Sequence, residues 1–295
     1  MGNGFFKNKV AIVSGSSMGI GKAIAQELLN LGAKVVLNGR DRQRLEHTAL
    51  EFRELGYDTL PVVADIRFPA QCRQLIDSAV STYGGLDILV NNAGISSRGS
   101  VEDMADSNYK IIAETNFNGS AHLSKYAIPH LKISKGHIIF INSVASFRGM
   151  PYNAAYSTSK MAQAGLAEAL RIELSDNGVH VGITYVGFTE NDPKKTILDA
   201  DGSWIYLPKR TNEKLDTREH VAKSVCVQIA MRKDSITLTG LGHLAKVITR
   251  YFPLLGHWIL WWNRVKIKNE YTMIGGARAE VHISNAPPRD VEELI

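Results

Sequence analysis

The chain has 295 residues, of which 44% are hydrophobic, and a mean hydropathy of -0.10; it can bury a sizeable core and has a soluble globular composition. Its formal net charge of +5, with no dense block of Lys and Arg, argues against nucleic-acid binding and fits a phosphate-bearing ligand or an anionic membrane surface. The two cysteines, Cys72 and Cys226, have no metal-binding or redox spacing, which argues against a zinc site or a disulfide framework.

The stretch before the first predicted strand is short. Residues 1–7 contain no apolar segment of the kind that a signal peptide needs, and Phe6 stands where the myristoylation pattern requires Ser or Thr. We therefore expect a cytoplasmic protein that is not secreted. Its length fits either one large α/β domain or two smaller ones.

A glycine-rich loop connects the first predicted strand to the first predicted helix. The buried run Val10–Val13 is followed by Gly15, Gly19 and Gly21, and then by a helical stretch over residues 22–31. The glycines permit a tight turn and a close approach of the backbone to a pyrophosphate, and the helix N-terminus offers unpaired N–H groups. This arrangement predicts a dinucleotide-binding site.

The second predicted strand, over residues 34–38, ends where a dinucleotide-binding fold selects its cofactor. An Asp or Glu at this point would bind the ribose 2′-hydroxyl of NAD, but the chain has the neutral Asn38 and, two positions later, Arg40. The planar guanidinium suits a phosphate, so these residues predict a preference for NADP(H) over NAD(H). The alternative is that Arg40 is a solvated turn residue.

Two further strand ends carry residues suited to the same ligand. Asp65 follows the strand predicted over residues 59–64, and it either contacts an adenine at the edge of the sheet or caps the next helix. After the strand predicted over residues 86–90, the run from Asn91 to Gly94 is either a loop that lies flat against the ligand or a plain turn.

The middle of the chain has a long helix pattern followed by a buried strand. The helix, over about residues 107–131, contains Asn116 next to other poor interior helix residues, which cost up to about 1 kcal/mol each relative to Ala and predict a local distortion or a polar role. The strand over residues 136–142 leads to Ser143. We interpret His137, inside this strand, as a packed histidine rather than a catalyst.

Tyr156 and Lys160 lie at the start of an Ala-, Leu- and Glu-rich run that predicts a helix. Residues four apart share a helix face, so the ammonium would lie beside the phenol and lower its pKa from about 10. A tyrosine so placed can exchange a proton with an alcohol or a carbonyl. Taken alone, the pair is more typical of an ordinary helix start, because both residues are common.

From about residue 9 to residue 238 the chain resembles the short-chain dehydrogenase/reductase family, in its Tyr-x-x-x-Lys subgroup. The motifs that it shares, in the family's order and spacing, are the glycine loop, the run from Asn91 to Gly94, Asn116, Ser143 and the pair Tyr156 and Lys160. The resemblance implies an α/β fold: a single Rossmann-type domain with a doubly wound parallel sheet in the strand order 3-2-1-4-5-6-7, assembled into dimers or tetramers.

The resemblance also implies roles for individual residues. Tyr156 would be the general acid or base on the substrate oxygen, and Ser143 would hydrogen-bond the same oxygen. Lys160 would lower the pKa of Tyr156 and hold the nicotinamide ribose, and Asn116 would position a water that links Lys160 to solvent. No metal ligand is expected, and the cofactor-binding residues would be Gly15, Ser16, Ser17, Gly19, Ile20, Gly21, Asn38, Arg40, Asp65, Ile66, Asn92, Ala93, Gly94, Tyr156, Lys160, Gly187 and Thr189.

One segment departs from the family pattern. After the strand predicted over residues 181–185, the family has Pro-Gly and then a Thr that touches the nicotinamide carboxamide. This chain has Val186 before Gly187, and the Thr is either displaced to Thr189 or replaced by Asn191.

The C-terminal part of the chain predicts a lid and an arm. Residues 1–240 form the predicted NADP-binding catalytic domain, and an aperiodic stretch at about 188–216 is interpreted as a substrate lid. A helical arm follows over 241–277, and a loosely ordered tail over 278–295.

The arm is aromatic and basic. It holds three of the four tryptophans, and residues 242–268 include five Lys or Arg and no acidic residue. Pro253 and Gly256 interrupt its apolar part, which is shorter than the roughly 20 residues of a membrane span. The composition favours a helix pair on anionic lipid headgroups, or a subunit interface, and resembles the arm of hydroxysteroid-dehydrogenase-like, lipid-handling members of the family.

Together these features predict an NADP(H)-dependent oxidoreductase. It would transfer hydride between the nicotinamide and a small lipophilic ketone or secondary alcohol of steroid, retinoid or lipid type. The presence of Ser143, Tyr156 and Lys160 favours this function over a nucleotide-binding sensor or scaffold without turnover, and over a structural protein of the membrane surface.

Overall fold

A parallel β-sheet forms the centre of the computed structural model, which describes residues 4–190, 192–207 and 215–272. Two short strands, β7 (Thr196–Leu198) and β8 (Trp204–Tyr206), form a separate antiparallel hairpin. The strands of the large sheet are β1 (Val10–Val13), β2 (Lys34–Gly39), β3 (Thr59–Val63), β4 (Ile88–Asn91), β5 (His137–Ser143), β6 (His180–Val186) and β9 (Ser235–Thr237).

The strand order across the large sheet is β3-β2-β1-β4-β5-β6-β9. Because β9 is the seventh strand of this sheet in chain order, the predicted order 3-2-1-4-5-6-7 is confirmed. The central strands consist almost entirely of buried residues, as expected for a sheet covered on both faces. The order reverses between β1 and β4, which opens a crevice at the carboxyl ends of the strands.

Helices cover both faces of the sheet. One face is covered by α3 (Pro69–Tyr83), α5 (Gly119–Ser134) and α6 (Ala154–Glu173). The opposite face is covered by α1 (Gly19–Asn30), α2 (Arg42–Glu54) and α7 (Arg218–Ala230). Successive residues of β1 alternate between the two cores, with Ile12 on the first face and Val13 on the second.

The long helix pattern in the middle of the chain is interrupted. A π-helical turn over Glu114–Asn118 joins α4 (Asp106–Ala113) to α5, and the N–H of Gly119 bonds to the carbonyl of Glu114, five residues back. Asn116 lies in this turn and is completely buried. The predicted distortion is therefore confirmed, and π-helical turns are frequent at functional sites.

The segment interpreted as a lid contains the hairpin of β7 and β8. Leu198 bonds to the loop after β4 on both sides: its N–H donates to Ser96 and its carbonyl accepts from Arg98, each at 3.0 Å. The Arg98 guanidinium also bonds both carboxylate oxygens of Asp199, at 3.2 and 3.0 Å. These contacts attach the hairpin to the loop that follows β4.

The described part of the arm has three helices, α8 (Gly240–Tyr251), α9 (Pro253–Trp262) and α10 (Arg264–Thr272), where the sequence predicted two. Pro253 stands at the first position of α9, where its missing N–H is not needed. None of the described helices combines the length and the apolar character needed to cross a bilayer. The predicted tail from residue 278 lies outside the described residues.

Two buried histidines lie on the neighbouring strands β5 and β6. His137 Nδ1 lies 3.2 Å from His180 Nδ1, and burial, together with the neighbouring His180, lowers the pKa of His137 to about 3. This agrees with the interpretation of His137 as a packed histidine. Cys72 and Cys226 are both buried free thiols.

Candidate active site

The carboxyl ends of adjacent parallel strands bring the predicted site residues to one edge of the sheet. β1 leads into the glycine loop, and β4 leads into residues 92–94. β5 ends at Ser143, and β6 leads to Gly187. The loops from four strands therefore meet at the crevice.

The glycine loop has the backbone geometry that a pyrophosphate requires. Gly15 and Gly19 have φ values of +63° and +59°, which favour glycine. A Cβ on Gly21 would lie 2.3 Å from the carbonyl oxygen of Gly15, and one on Gly15 would lie 2.9 Å from the Cα of Ala93. Side chains are thus excluded where the loop packs, while the space beside Gly19 is open.

The first helix begins directly at this loop. Met18 precedes α1 without a side-chain cap, so the first N–H groups of the helix, from Gly19 and Ile20, receive no bond from that side chain and lie at the positive end of the helix dipole. Ser17, before them, accepts a hydrogen bond from Thr48 through its carbonyl at 3.0 Å. These residues fit the pyrophosphate of a dinucleotide.

The loop after β4 is bonded to the glycine loop. The amide of Asn92 donates to the carbonyls of Ser14 at 2.8 Å and Gly15 at 3.1 Å. The Ser14 hydroxyl accepts from the N–H groups of Asn92 and Ala93. The start of the run from Asn91 to Gly94 is therefore bonded directly to the glycine loop.

Asn38 and Ser16 lie at the predicted cofactor edge, but their side chains point into the protein and both are buried. The Asn38 amide donates to the carbonyls of Val62 at 3.3 Å and Ala64 at 3.0 Å, and its oxygen accepts from Gly15 at 3.4 Å. The Ser16 hydroxyl accepts from the Asn38 N–H at 2.9 Å. These bonds join β2 to β3 and to the glycine loop.

Arg40, at the end of β2, lies within the field of two other arginines. Partial burial lowers the pKa of Arg40, and the charges of Arg67 and Arg44 add to this effect while Asp65 opposes it. The Arg40 guanidinium also lies over the ring of Trp204, 5.3 Å from its centroid. Arg44, which lies on α2 four positions after Arg40, was not among the predicted site residues.

Asp65 pairs with Arg67 through both carboxylate oxygens, at distances from 2.7 to 3.1 Å. Burial raises the pKa of Asp65, but the hydrogen bonds and charge of Arg67 outweigh this and hold it below its usual value. Asp65 does not cap α3, because Phe68 precedes that helix with no side-chain cap. Ile66 is buried, and a Cβ on Gly119 would lie 2.5 Å from its side chain.

Ser143 and Tyr156 lie on neighbouring elements. The Ser143 hydroxyl accepts from the N–H of Ala145 at 3.2 Å and so caps a short turn over Val144–Ser146. A hydroxyl that accepts one hydrogen bond can still donate its own hydrogen. α6, with the half-buried Tyr156 in its first turn, packs against this turn.

Lys160 is buried one turn further along α6. Its Nζ donates to the carbonyl of Ile141 at 2.9 Å and to Oε1 of Gln163 at 3.1 Å. A Cβ on Gly94 would lie 3.6 Å from this nitrogen, so the amine lies beside the loop after β4. Burial lowers the pKa of Lys160 to about 7, and the charge of Lys195 adds to the effect.

Asn116 connects three elements. Its side-chain oxygen accepts from the N–H of Ile95 at 2.8 Å, and its amide donates to the carbonyl of Ile95 and to the Ser159 hydroxyl, both at 2.9 Å. Its main-chain carbonyl accepts from the Gln163 amide at 3.1 Å and from the Ser120 hydroxyl at 3.0 Å. The π-helical turn is thereby joined to α6 and to the loop after β4.

Comparison with known proteins identifies the family. The family model described as short chain dehydrogenase matches residues 9–201. The chain belongs to the short-chain dehydrogenase/reductase family. It is similar to 11-beta-hydroxysteroid dehydrogenase A of Arachis hypogaea, with 40% identity over 199 residues, 66% of this chain and 56% of that protein. The match therefore spans little more than half the length of that relative.

Two solved structures, of which the first is described as a short chain dehydrogenase/reductase, share the fold. One, from Burkholderia phymatum in complex with NAD, has a TM-score of 0.73 at 24% identity and covers 85% of this chain and 96% of its own. The other is an alcohol dehydrogenase from Thermococcus sibiricus complexed with 5-hydroxy-NADP. It has a TM-score of 0.69 at 24% identity, and the match covers 79% of this chain and 96% of that one. The dinucleotides named with these two structures differ, so the comparison leaves the cofactor preference open.

The segment after β6 departs from the short-chain dehydrogenase/reductase pattern at Val186, and the structure gives the surroundings of its neighbours. A Cβ on Gly187 would lie 2.5 Å from the hydroxyl of Thr239, which caps α8. Thr189 is buried, and its hydroxyl donates to the carbonyl of Gly187 at 3.4 Å. Asn191 lies outside the described residues.

The short-chain dehydrogenase/reductase fold thus brings Asn116, Ser143, Tyr156 and Lys160 onto elements that pack together. It also brings in Gln163, which the sequence analysis did not single out. A glutamine three residues after Lys160 shares its helix face, and an uncharged polar residue on the buried face of an Ala-rich helix is the signal that could have found it.

Proposed function

We propose that the chain is an NADP(H)-dependent oxidoreductase that transfers hydride between the nicotinamide and a lipophilic ketone or secondary alcohol. The observation that carries the proposal is the setting of Lys160, which is buried one turn past Tyr156 and bonded to β5 two residues before Ser143. Lysine is almost never buried without a partner, because desolvation of the ammonium is costly. An amine held there suits a site in which Tyr156 exchanges a proton with a substrate oxygen, because a charged amine lowers the pKa of a neighbouring phenol.

The proposed mechanism assigns a separate task to each residue. The bound dinucleotide supplies or accepts hydride at its nicotinamide ring. In the reductive direction, Tyr156 gives its proton to the substrate oxygen, and Ser143 donates a second hydrogen bond to the same atom. Lys160, when protonated, favours the ionised form of Tyr156, and it would also hold the nicotinamide ribose.

The preference for NADP(H) is supported by the arginines at the end of β2. Arg40 carries the fork that would bind the 2′-phosphate, with Arg44 and Arg67 contributing positive charge nearby. Stacking on Trp204 restrains the Arg40 guanidinium and so lowers the entropy lost on binding. The strand end carries the neutral Asn38 and therefore lacks the carboxylate that would bind the ribose 2′-hydroxyl of NAD.

The lipophilic substrate class is supported by the position of the arm. α8 packs against the turn after Ser143, where a Cβ on Gly242 would lie 2.8 Å from the side chain of Val144. Arg148 Nη1 donates to the carbonyl of Pro253 at 2.9 Å. The apolar arm is therefore attached to the loop between Ser143 and Tyr156, and the similarity to a relative named 11-beta-hydroxysteroid dehydrogenase favours substrates of steroid, retinoid or lipid type.

We also propose that the arm contacts an anionic membrane surface from one side. Trp258, Trp261 and Trp262 are exposed by 51%, 45% and 69%, and Leu254 by 76%. Aromatic side chains at the headgroup level and cations toward anionic lipid suit this position. The same side chains would suit a subunit interface, and the proposal includes assembly into a dimer or tetramer.

The proposed function is tested by following NADPH absorbance with steroid, retinoid and long-chain ketones, for the unchanged protein and for Tyr156→Phe. We expect turnover of at least one ketone, and a loss of about 10²- to 10⁴-fold in the variant, because general acid catalysis contributes that much. NADPH binding without turnover of any ketone would instead indicate a nucleotide-binding sensor or scaffold. Absence of NADPH binding would contradict the proposed dinucleotide site.

A further inference from the structure

Gln163 is a completely buried amide in the centre of α6. Burial of an amide without hydrogen bonds is unfavourable, so its contacts account for its presence. Its nitrogen donates to the carbonyl of Asn116 at 3.1 Å and to the hydroxyl of Ser120 at 2.8 Å. Its oxygen accepts from Nζ of Lys160 at 3.1 Å.

The orientation of this amide is fixed by its neighbours. The ammonium form of Lys160 can only donate, so the oxygen of Gln163 faces it. The carbonyl of Asn116 can only accept, whatever the charge of Lys160, so the nitrogen of Gln163 must face that group. Reversing the amide would bring two donors together on one side and two acceptors together on the other. Gln163 is therefore a directed bridge between two residues of the proposed reaction centre.

The bridge spans the space between the proposed amine and the π-helical turn. The amide of Gln163 bonds to both, to Nζ of Lys160 on one side and to the main-chain carbonyl of Asn116 on the other. The second partner of Lys160 is the carbonyl of Ile141, in the strand that leads to Ser143. Both partners of the buried amine are thus neutral and fixed to secondary structure.

A second lysine acts electrostatically on Lys160. Among the described residues, Lys195 from the lid lowers the pKa of Lys160, after the larger effect of burial. Tyr156, one turn earlier on α6, is the titratable neighbour on the same helix face. A hydrogen bond that Lys160 donates as an ammonium favours its charged form, and Gln163 accepts such a bond.

We propose that Gln163 is a positioning residue for the reaction: its amide ties Lys160 to the carbonyl of Asn116 and holds the amine in the orientation in which it serves Tyr156 and the cofactor ribose. This inference rests on the function proposed above. Gln163 itself touches neither substrate nor cofactor, and it acts through Lys160.

The test is a titration of Lys160 in the full-length protein. Lysine side chains are labelled with ¹³C at Cε and followed by NMR against pH, and the signal of Lys160 is the one that Lys160→Met removes. Gln163→Met keeps the length of the side chain but accepts no strong hydrogen bond. We expect it to lower the titration midpoint of Lys160 by about one pH unit, since a hydrogen bond to a charged group is worth about 1.5–3 kcal/mol.

A second variant and a matched control complete the titration. Gln163→Glu places a carboxylate beside Lys160, and we expect it to raise the titration midpoint of Lys160. This second variant keeps the contact between residue 163 and Lys160 testable if Gln163→Met does not fold. Gln228, a completely buried amide on α7, bonds to Thr184, Ile183 and Lys233, so Gln228→Met makes the same chemical change away from Lys160. We expect this control to leave the midpoint unchanged.

Kinetics separate this proposal from the function on which it rests. We expect Gln163→Met to lower kcat/KM for ketone reduction about tenfold, mainly through kcat, while Gln228→Met leaves it unchanged. Lack of turnover by the unchanged protein would defeat the proposed function, and the titration would still decide the role of Gln163. An unchanged midpoint in both Gln163 variants, or an equal shift in Gln228→Met, would overturn the inference.

Discussion

At the scale of single residues, the end of β2 holds two neighbouring residues whose different surroundings the sequence pattern did not distinguish. Asn38 and Arg40 were both predicted to select the cofactor. The strand ends at Gly39, so the chain turns between them: the amide of Asn38 bonds to main-chain carbonyls of β3, and Arg40 lies outside, over Trp204. Two residues apart in a continuing strand would have shared one face.

Because the side chain of Asn38 bonds inside the protein and that of Arg40 lies outside, over Trp204, a substitution of Arg40 is the direct test of cofactor preference. We expect Arg40→Ala to weaken binding of NADP by about 10- to 100-fold, because a charge-assisted contact with the 2′-phosphate is worth about 1.5–3 kcal/mol, and to leave NAD binding nearly unchanged. Titration of both cofactors by fluorescence measures this. Arg42→Ala, which removes an exposed arginine on α2, is the control. Equal losses for NADP and NAD would refute this role of Arg40.

At the scale of elements, the strength of the local pattern decides what could be predicted. The strands from β1 to β6 are buried apolar runs, and they lie within a few residues of their predicted positions. The helix distortion at Asn116 was predicted because Asn and Gly destabilise a helix interior. The hairpin of β7 and β8 was missed, because strands of three residues carry no measurable periodicity.

The aromatic and basic composition of the arm is consistent with two partners, a membrane surface or a second subunit. We expect Trp261→Ser combined with Trp262→Ser to abolish sedimentation with anionic vesicles, because these rings supply the apolar contact. Added salt should weaken the binding of the unchanged protein, and neutral vesicles should bind it less. The control is Ile172→Ser on α6, which removes an apolar side chain that is 75% exposed.

The full-length double variant also reports on the alternative. If it still sediments with anionic vesicles but has a smaller mass in solution, the arm is a subunit interface and the membrane proposal is wrong.

At the scale of the whole molecule, the sheet explains why so much of the site was predicted. Strand order and family follow from motifs in sequence order, and parallel strands then place Ser143, the glycine loop and residues 92–94 at one edge. The contacts of Gln163 were not predicted, since its bond to Asn116 joins residues 47 positions apart. Such a contact depends on how α6 packs on the π-helical turn, which no local pattern encodes.

The central claim is that Ser143 and Tyr156 act on one substrate oxygen. It is tested most directly by a double-mutant cycle on kcat/KM for ketone reduction, with Ser143→Ala, Tyr156→Phe and the combined variant, each checked for NADPH binding. If both hydroxyls serve the same oxygen, the combined loss will be close to the larger single loss, as for residues that act as a unit. A combined loss equal to the product of the two single losses would contradict the claim.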